Sequence, residues 1–278
     1  MQVWAVTFDV SHVADLEDVY QRGLGILDPD SQHRLGRFYH RVDGFRGLIG
    51  KLLPRLLLRE RGIAVSSMTF GLTQTGKPYV TTPGLNPSIG YNITHDSGMI
   101  AMAYASGDDL YPDPPAYRIG VDVMKLQLPK RDTFHGFVNT VGDQLTDLER
   151  EILISNAQPI LELEALRRFY LIWTLKEAYT KALGLGLGFD FKRIEYDVPR
   201  DVVKIDGMVP RGWKFARFEL QNECGGEQTE TYVGVAAQYL GDEVQPQGEC
   251  VVEHRLAGPW LKVFDAAQFI EKAILELK

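Results

Sequence analysis

The stretch FYLIWTLKEAYTKALGLGLGFDF, residues Phe169–Phe191, is the part of the chain that most directly predicts its fold. Apolar side chains recur along it at the spacing of one helix face, which predicts an amphipathic helix. These apolar positions are Ile172, Leu175, Tyr179, Ala182 and Leu183. Gly184 follows them, at the position where glycine ends helices in the left-handed conformation without strain. The stretch therefore predicts one long helix closed by glycines.

A second face of this helix is polar and carries Tyr170, Thr174, Glu177 and Lys181. Glu177 and Lys181 are four residues apart, so their side chains lie on the same side of the helix. Taken alone, such a pair is usually a surface ion pair that contributes about 0.3–0.5 kcal/mol. The polar face becomes informative only together with a second segment upstream.

That segment is the predicted strand Tyr117–Leu126, in which aliphatic side chains alternate with other types. Asp122 lies on the face opposite the aliphatic residues, although aspartate is depleted in strands. Two interpretations follow from the residues. Asp122 lies either at a solvated edge of the sheet or at a cleft, where it is a metal ligand.

Together the two segments resemble the signatures of the 4′-phosphopantetheinyl transferase family. These signatures are a G-[IV]-D strand and, further along the chain, W-x-x-K-E-[AS]-x-x-K-x-x-G-x-G-[LF]. The chain has GVD at residues 120–122 and WTLKEAYTKALGLGL at residues 173–187. The resemblance extends from about Arg34 to about Tyr239. It is closest to the double-length, monomeric type, and within it to the eukaryotic aminoadipate-semialdehyde-dehydrogenase type, because of the run GLGLGFDFKRIEYD.

The resemblance implies an enzyme that transfers the 4′-phosphopantetheine arm of coenzyme A to a serine hydroxyl of an apo acyl or peptidyl carrier protein. Adenosine 3′,5′-bisphosphate is the product released. The implied reaction depends on Mg²⁺, with Mn²⁺ as the alternative ion. Asp122 and Glu177 are the implied metal ligands, and carboxylate oxygens suit such hard cations. Lys181 is expected at the phosphate or the departing oxygen, and Glu177 is also a candidate base for the serine proton.

Further residues are implied to contact coenzyme A. Arg46 matches a position at the 3′-phosphate, Arg34 lies near a second phosphate-contacting position, and Lys77 of the Gly-Lys-Pro turn matches one at the nucleotide end. NITH, at residues 92–95, resembles the family's N-[IL]-S-H, which places Thr94 and His95 at the phosphates. Lys176 lies either near the phosphates or in solvent.

One position departs from the bacterial members, whose G-I-D-x-E strand carries a second acid two residues after the aspartate. Here that position is Met124, a poor ligand for magnesium. We hypothesise that Asp96, next to His95, completes the metal shell directly or through water. The alternative for Asp96 is a turn-capping role beside Ser97, which its side chain also favours.

The order of predicted elements indicates an α+β fold with two similar halves related by a pseudo-twofold axis, and an active site in the cleft between them. The proline-rich segment 111–117 is the predicted linker. It separates an N-terminal half, 1–110, with the coenzyme-phosphate contacts, from a C-terminal half, 118–278, with the metal and the long helix. Within the first half, Pro54 predicts a kink or break in a basic helix, and Val65–Phe70 reads as a strand.

Composition limits the alternatives. The net charge of −7 argues against a nucleic-acid-binding protein. Cys224 and Cys250 form no zinc motif, although a disulfide between them stays open. No signal peptide or membrane-spanning run is predicted, so we expect a cytoplasmic monomer that does not bind membranes.

Two other functions stay open at this point. A catalytically silent module would bind coenzyme A or a carrier protein without turnover. A metal-dependent phosphohydrolase would use the same acids with water as nucleophile. The carrier is equally open among fatty-acid synthase, a reductase of lysine biosynthesis, polyketide synthases and peptide synthetases.

Overall fold

The computed structural model describes residues 1–129, 132–154, 160–223, 229–242, 250–255 and 258–278. Cys224 and the side chain of Leu187 lie outside the described residues. The helices are α1 Glu17–Leu24, α2 Pro29–Gly36, α3 Arg41–Glu60, α4 Phe134–Thr140, α5 Asp147–Leu153, α6 Glu162–Leu183 and α7 Ala266–Glu276. The strands are β1 Gln2–Thr7, β2 Phe70–Leu72, β3 Pro78–Val80, β4 Ile89–Asp96, β5 Met99–Ser106, β6 Ile119–Lys125, β7 Ile194–Asp197, β8 Val202–Ile205, β9 Trp213–Glu223, β10 Thr229–Tyr239, β11 Val251–His254 and β12 Leu261–Asp265.

Two four-stranded sheets form the centre of the protein. The first has the order β12-β1-β5-β4 and the second β11-β9-β10-β6. Their facing sides are lined mostly by small and aliphatic residues, among them Ala101 and Ala103 of the first sheet and Val121 and Ala236 of the second. Small side chains allow the two sheets to pack closely, so this shared core joins the halves.

Each sheet is backed by a long helix on its outer side. The first sheet packs Trp4 and Met102 into one core with Leu48 and Leu52 of α3. The second packs Phe215 and Val235 into a core with α6. The predicted α+β class with two halves is confirmed: each half is a four-stranded sheet covered by one long helix.

The end of the described chain packs with the first half. Strand β12 pairs in parallel with β1, with Val3 opposite Leu261. Phe269 and Ile270 of α7 are buried in the core of the first sheet. The predicted C-terminal half, 118–278, therefore includes a final segment that completes the N-terminal sheet, and the domain bounds stay a prediction.

One local prediction in the first half was wrong, and one of the two alternatives at Pro54, a break, is excluded. Helix α3 continues through Pro54 to Glu60, so proline does not break it. The predicted strand Val65–Phe70 is a short 3-10 turn over Val65–Ser67, and strand β2 begins only at Phe70.

No helix among the described residues is long and apolar enough to cross a bilayer.

Candidate active site

The site begins where the edge strands of the two sheets, β4 and β6, lie side by side. They are joined by side chains of alternate β4 residues, which point to the same side of a strand. Asn92 Oδ1 accepts from the Val121 backbone N–H at 3.0 Å, and Thr94 Oγ1 donates to Asp122 Oδ1 at 2.8 Å. These contacts place a hydroxyl of the first half against a carboxylate of the second.

Helix α6 reaches the same point because Gly120 allows it to approach β6. A Cβ atom on residue 120 would lie 1.9 Å from the backbone oxygen of Ala178, so only glycine fits under the helix. Asp122 is on the same face of β6, two residues on. As a result Lys181 Nζ donates to Asp122 Oδ1 at 2.6 Å and to Thr94 Oγ1 at 3.1 Å.

Asp122 and Glu177 are two carboxylates with unused oxygens. Asp122 is only 5% exposed, and burial raises its pKa although Lys181 and Thr94 act in the opposite direction. Burial likewise raises the pKa of Glu177, and the charge of Asp122 raises it further. Within the described residues no hydrogen bond reaches Asp122 Oδ2 or the Glu177 carboxylate. These two groups can therefore accept a cation or a proton.

The carboxylates suit a hard divalent ion that keeps most of its waters, since such an ion needs few protein oxygens. Among the residues described here, no group of three or more His, Cys, Asp or Glu side chains could hold a metal. Asp96 has a different partner, because its Oδ2 accepts from the Lys125 backbone N–H at 2.7 Å. The hypothesis that Asp96 completes the metal shell stays a prediction. Met124, at the position of the absent acid, packs against the apolar core beside α6.

His95 lies at the end of β4, and Arg46 of α3 contacts the hairpin turn that follows it. The Arg46 guanidinium donates from Nε and Nη2 to the Ser97 backbone oxygen, at 2.9 and 2.7 Å. Partial desolvation lowers the pKa of His95, and the charges of Arg46 and Lys181 lower it further. The imidazole thus lies near two cations, one of which, Arg46, is also paired with Asp43 at 2.9 Å.

Arg34 lies at a separate cavity of about 370 Å³ between α3 and the short hairpin β2–β3. Lys51 and Arg55 of α3 line the same cavity. Burial lowers the pKa of Lys51, and the neighbouring charges of Arg55 and Arg34 lower it further. Three cations at one cavity form a place that favours an anion, and the clustering of basic residues in α3 was its only signal in the sequence.

Lys77 is buried at the end of α6. Its Nζ donates to the backbone oxygens of Ala182 and Tyr117, at 2.6 and 2.5 Å. Burial lowers the pKa of Lys77 to about 8. The side chain borders a cavity of about 590 Å³ together with Gly184. Lys77 thus links the glycine-closed end of α6 to the residues that immediately precede β6.

Lys176 does not lie in solvent. It is 0% exposed, and its Nζ pairs with Glu149 Oε2 at 2.6 Å and donates to the Gln144 backbone oxygen at 2.9 Å. The interpretation that Lys176 lies in solvent was wrong, because its ammonium group is enclosed against Glu149 of α5. A contact of Lys176 with the coenzyme phosphates stays a prediction. Glu149 lies in LTDLE, residues 145–149, which resembles the family's F-[ST]-x-x-E element. Its T-x-x-E spacing also predicts the capping box that Thr146 and Glu149 form.

Comparison with known proteins identifies the family of this chain. The model of the 4′-phosphopantetheinyl transferase superfamily matches residues 118–231, and the N-terminal domain model of 4′-phosphopantetheinyl transferases matches residues 15–106. A 4′-phosphopantetheinyl transferase of Paxillus involutus is 49% identical over 100% of both chains.

More distant relatives extend the comparison. The L-aminoadipate-semialdehyde dehydrogenase-phosphopantetheinyl transferase of Mus musculus is 30% identical over 62% of this chain and 53% of its own. A 4′-phosphopantetheinyl transferase of Bacillus subtilis is 28% identical over 67% of this chain and 72% of its own. With both domain models and a full-length relative matched, the chain belongs to the 4′-phosphopantetheinyl transferase superfamily and is an enzyme that transfers phosphopantetheine from coenzyme A to carrier proteins.

Proposed function

We propose that Asp122, Glu177 and Lys181 form the reaction centre, where the serine hydroxyl of an apo carrier protein attacks the β-phosphate of coenzyme A. The observation that supports this most directly is the contact of Lys181 with both Asp122 and Thr94. This contact joins a catalytic helix to the edge strands of both halves. A site at such a junction can bind a large, two-ended substrate from both sides.

Asp122 and Glu177 would hold a divalent cation. Their carboxylate oxygens are hard donors, and those without a hydrogen-bond partner could bind Mg²⁺, with Mn²⁺ as the alternative. When bound, the ion would offset the negative charge of the diphosphate. Two protein carboxylates are sufficient because Mg²⁺ commonly keeps several waters. Met124 therefore does not prevent metal binding.

Glu177 is the proposed acceptor of the serine proton. Burial raises the pKa of its carboxyl group, which moves it toward the range in which a general base is efficient. The bond from the serine oxygen to the β-phosphorus forms while the bond to the bridging oxygen of the bisphosphate breaks. Lys181 Nζ is the proposed donor to the departing phosphate, whose developing charge a fixed cation stabilises.

The coenzyme phosphates would contact the cationic and neutral donors around this centre. We propose Arg46 for the 3′-phosphate, His95 and Thr94 for the diphosphate, and Arg34, at its separate cavity beside α3, for a second phosphate contact. Lys77 would face the nucleotide end. Since its Nζ already donates to two backbone oxygens, we expect Lys77 to act partly by fixing the loop around it.

All of these residues come from one chain, and Thr94 of the first half meets Lys181 of the second within it. We propose that a monomer is the active species, which sedimentation of the active enzyme tests. For the carrier, the name of the mouse relative suggests the aminoadipate-semialdehyde dehydrogenase carrier domain, and thus a role in lysine biosynthesis. Fatty-acid, polyketide and peptide synthase carriers are the alternatives in a substrate panel.

The test is incubation with coenzyme A, Mg²⁺ and an apo carrier protein, followed by the intact mass of the carrier. We expect the carrier to gain one phosphopantetheine arm. Glu177→Gln should lower the rate by about 10²–10⁴-fold, the usual contribution of a general base. Glu162→Gln is the matched control, because it makes the same change at an exposed position of α6.

Three results would contradict the proposal in different ways. Release of free phosphopantetheine with an unchanged carrier mass would indicate a phosphohydrolase. Tight coenzyme binding without any transfer to the carriers in the panel would indicate a silent module. Equal rates for Glu177→Gln and Glu162→Gln would remove Glu177 from the reaction centre.

A further inference from the structure

The turn between β4 and β5 is fixed by packing from both halves. Ser97 has a left-handed φ of +46°, which is uncommon for a residue other than glycine. Gly98 is buried, and a Cβ atom there would lie 2.2 Å from the Phe8 backbone oxygen. The Phe8 N–H donates to the Gly98 backbone oxygen at 2.9 Å. The turn is therefore held in one place by the strand beside it.

The peptide group between Ser97 and Gly98 is bonded on both of its sides. Its carbonyl oxygen accepts from Nε and Nη2 of Arg46, and its N–H donates to the Tyr232 hydroxyl at 2.9 Å. A trans peptide is planar, so its N–H and C=O point in opposite directions. Whatever fixes the N–H therefore also orients the carbonyl, and with it the Nε and Nη2 groups of Arg46, while Nη1 of the same guanidinium is paired with Asp43 at 2.9 Å.

Tyr232 is itself held rigidly in the second sheet. It is 1% exposed on β10, and its hydroxyl donates to Glu230 Oε2 at 2.7 Å. Glu230 in turn forms an ion pair with Lys125 of β6. Burial and the neighbouring carboxylate raise the pKa of the Tyr232 hydroxyl, so the O–H remains a donor to Glu230. Its lone pair then remains available to Gly98.

These contacts form a continuous line from a cation to an anion: Arg46, the Ser97–Gly98 peptide, Tyr232 and Glu230. Each hydrogen bond in such a line polarises the next, which strengthens the whole. The line begins in α3 of the first half and ends in β10 of the second. The second half thus influences the orientation of an arginine that the first half carries.

We propose that Tyr232 is a positioning residue for coenzyme binding, which orients Arg46 through the Ser97–Gly98 peptide. This inference rests on the proposed contact between Arg46 and the 3′-phosphate of coenzyme A. Tyr232 itself touches neither substrate nor metal in this arrangement. Its effect should therefore appear in the recognition of the 3′-phosphate and not in the chemical step.

The experiment compares coenzyme A with dephospho-coenzyme A, which lacks the 3′-phosphate, in Tyr232→Phe. Losing one hydrogen bond should raise KM for coenzyme A about five- to tenfold and leave kcat within about twofold. KM for dephospho-coenzyme A should not change. Tyr196→Phe is the matched control, since its buried hydroxyl also bonds a carboxylate, that of Asp201, but does not contact the turn.

Arg46→Ala separates the two levels of the proposal. If Arg46→Ala leaves the preference for coenzyme A over its dephospho form unchanged, the proposed role of Arg46 is wrong. If Arg46→Ala abolishes the preference but Tyr232→Phe does not reduce it, only the role of Tyr232 is overturned. An equal effect of Tyr232→Phe with and without Arg46 overturns it as well, because positioning requires that the effect vanish in Arg46→Ala.

Thermal unfolding checks that each variant is folded before its kinetics are measured. Should Tyr232→Phe not fold, Glu230→Gln replaces it, because this change weakens the acceptor that holds the Tyr232 hydroxyl and preserves its shape. We expect Glu230→Gln also to reduce the preference for coenzyme A over dephospho-coenzyme A, but by a smaller factor than Tyr232→Phe. An unchanged preference in a folded Glu230→Gln variant would then overturn the proposal.

Discussion

Helix α6 carries two lysine–carboxylate pairs with the same N–O distance and opposite surroundings. Lys176 pairs with Glu149 at 2.6 Å, and Lys181 pairs with Asp122 at 2.6 Å. Both side chains of the first pair are 0% exposed. In the second pair, the side chain of Lys181 is 30% exposed and that of Asp122 is 7% exposed. The two pairs lie five positions apart on one helix, so their difference comes from what each faces.

The enclosed pair has its hydrogen-bonding groups occupied. Glu149 also accepts from the backbone N–H groups of Thr146 and Tyr196, and Lys176 also donates to Gln144. The open pair has Asp122 Oδ2 unbonded among the described residues, with the unbonded Glu177 carboxylate as a charged neighbour. A buried pair whose hydrogen-bonding groups all have partners suits a structural role. A buried pair with unbonded carboxylate oxygens can still bind a cation or accept a proton.

The largest effect is expected at the open pair. Lys181→Met removes the cation proposed to stabilise the departing phosphate, and we expect kcat/KM to fall by about 10²–10³-fold. The free energy of unfolding should change less than in Lys176→Met, because Lys181 is partly exposed. Carrier loading and urea unfolding measure the two quantities. Full activity in Lys181→Met would contradict the catalytic interpretation of this pair.

The reverse result is expected at the enclosed pair. Lys176→Met leaves the Glu149 charge buried without its partner, which should lower the free energy of unfolding by about 3–5 kcal/mol. Transfer per folded molecule should stay close to that of the unchanged enzyme, as measured below the unfolding transition. If Lys176→Met stayed stable and lost activity, the enclosed pair would belong to the reaction centre and the comparison would fail.

The pH dependence sharpens the same comparison. Burial raises the pKa of both Asp122 and Glu177, so they take up protons at higher pH than ordinary carboxyl groups with a pKa of about 4. Protonated carboxyl groups cannot hold a cation, and kcat/KM should therefore decrease as the pH falls through these raised values. More Mg²⁺ should move this decrease to lower pH, because a bound cation favours the carboxylates. A pH profile independent of Mg²⁺ would contradict metal binding at this pair.

The smallest effect is expected at Asp96. An asparagine oxygen can still accept from the Lys125 N–H, so Asp96→Asn should change the dependence on Mg²⁺ by no more than about twofold. Titration of carrier loading with Mg²⁺ measures this. A marked rise in the Mg²⁺ requirement would instead show that Asp96 completes the shell, as hypothesised from the absent acid at Met124.

The residues of the proposed reaction centre could be picked out because they lie in two local patterns that resemble the family signatures. Gly120 and Asp122 are two residues apart on one strand face, and Glu177 and Lys181 are four apart on one helix. The left-handed end of α6 at Gly184, with φ +68°, also follows from the sequence. Such spacings determine which side chains share one face of a strand or helix, so this part of a structure can be read from the sequence.

The remainder depended on packing between distant segments. Lys176 is next to Glu177 in the sequence but faces the opposite direction, and only the position of α5 decides that it is enclosed. The contact between Tyr232 and Gly98 joins residues 134 positions apart. Pro54 predicted a break by its local chemistry, whereas burial of the surrounding leucines in the first core favours a continuous helix.

The parallel pairing of β12 with β1 has a consequence for synthesis on the ribosome. Strand β1 pairs with a strand that is more than 250 residues away in the sequence, since Val3 lies opposite Leu261. Until that partner emerges, β1 has one unpaired edge, and the core that later receives Phe269 is open to water. We therefore expect nascent chains stopped before β12 to expose an unpaired, aggregation-prone sheet edge and to bind chaperones. Chaperone binding should decrease once the finished chain is released and β12 pairs with β1.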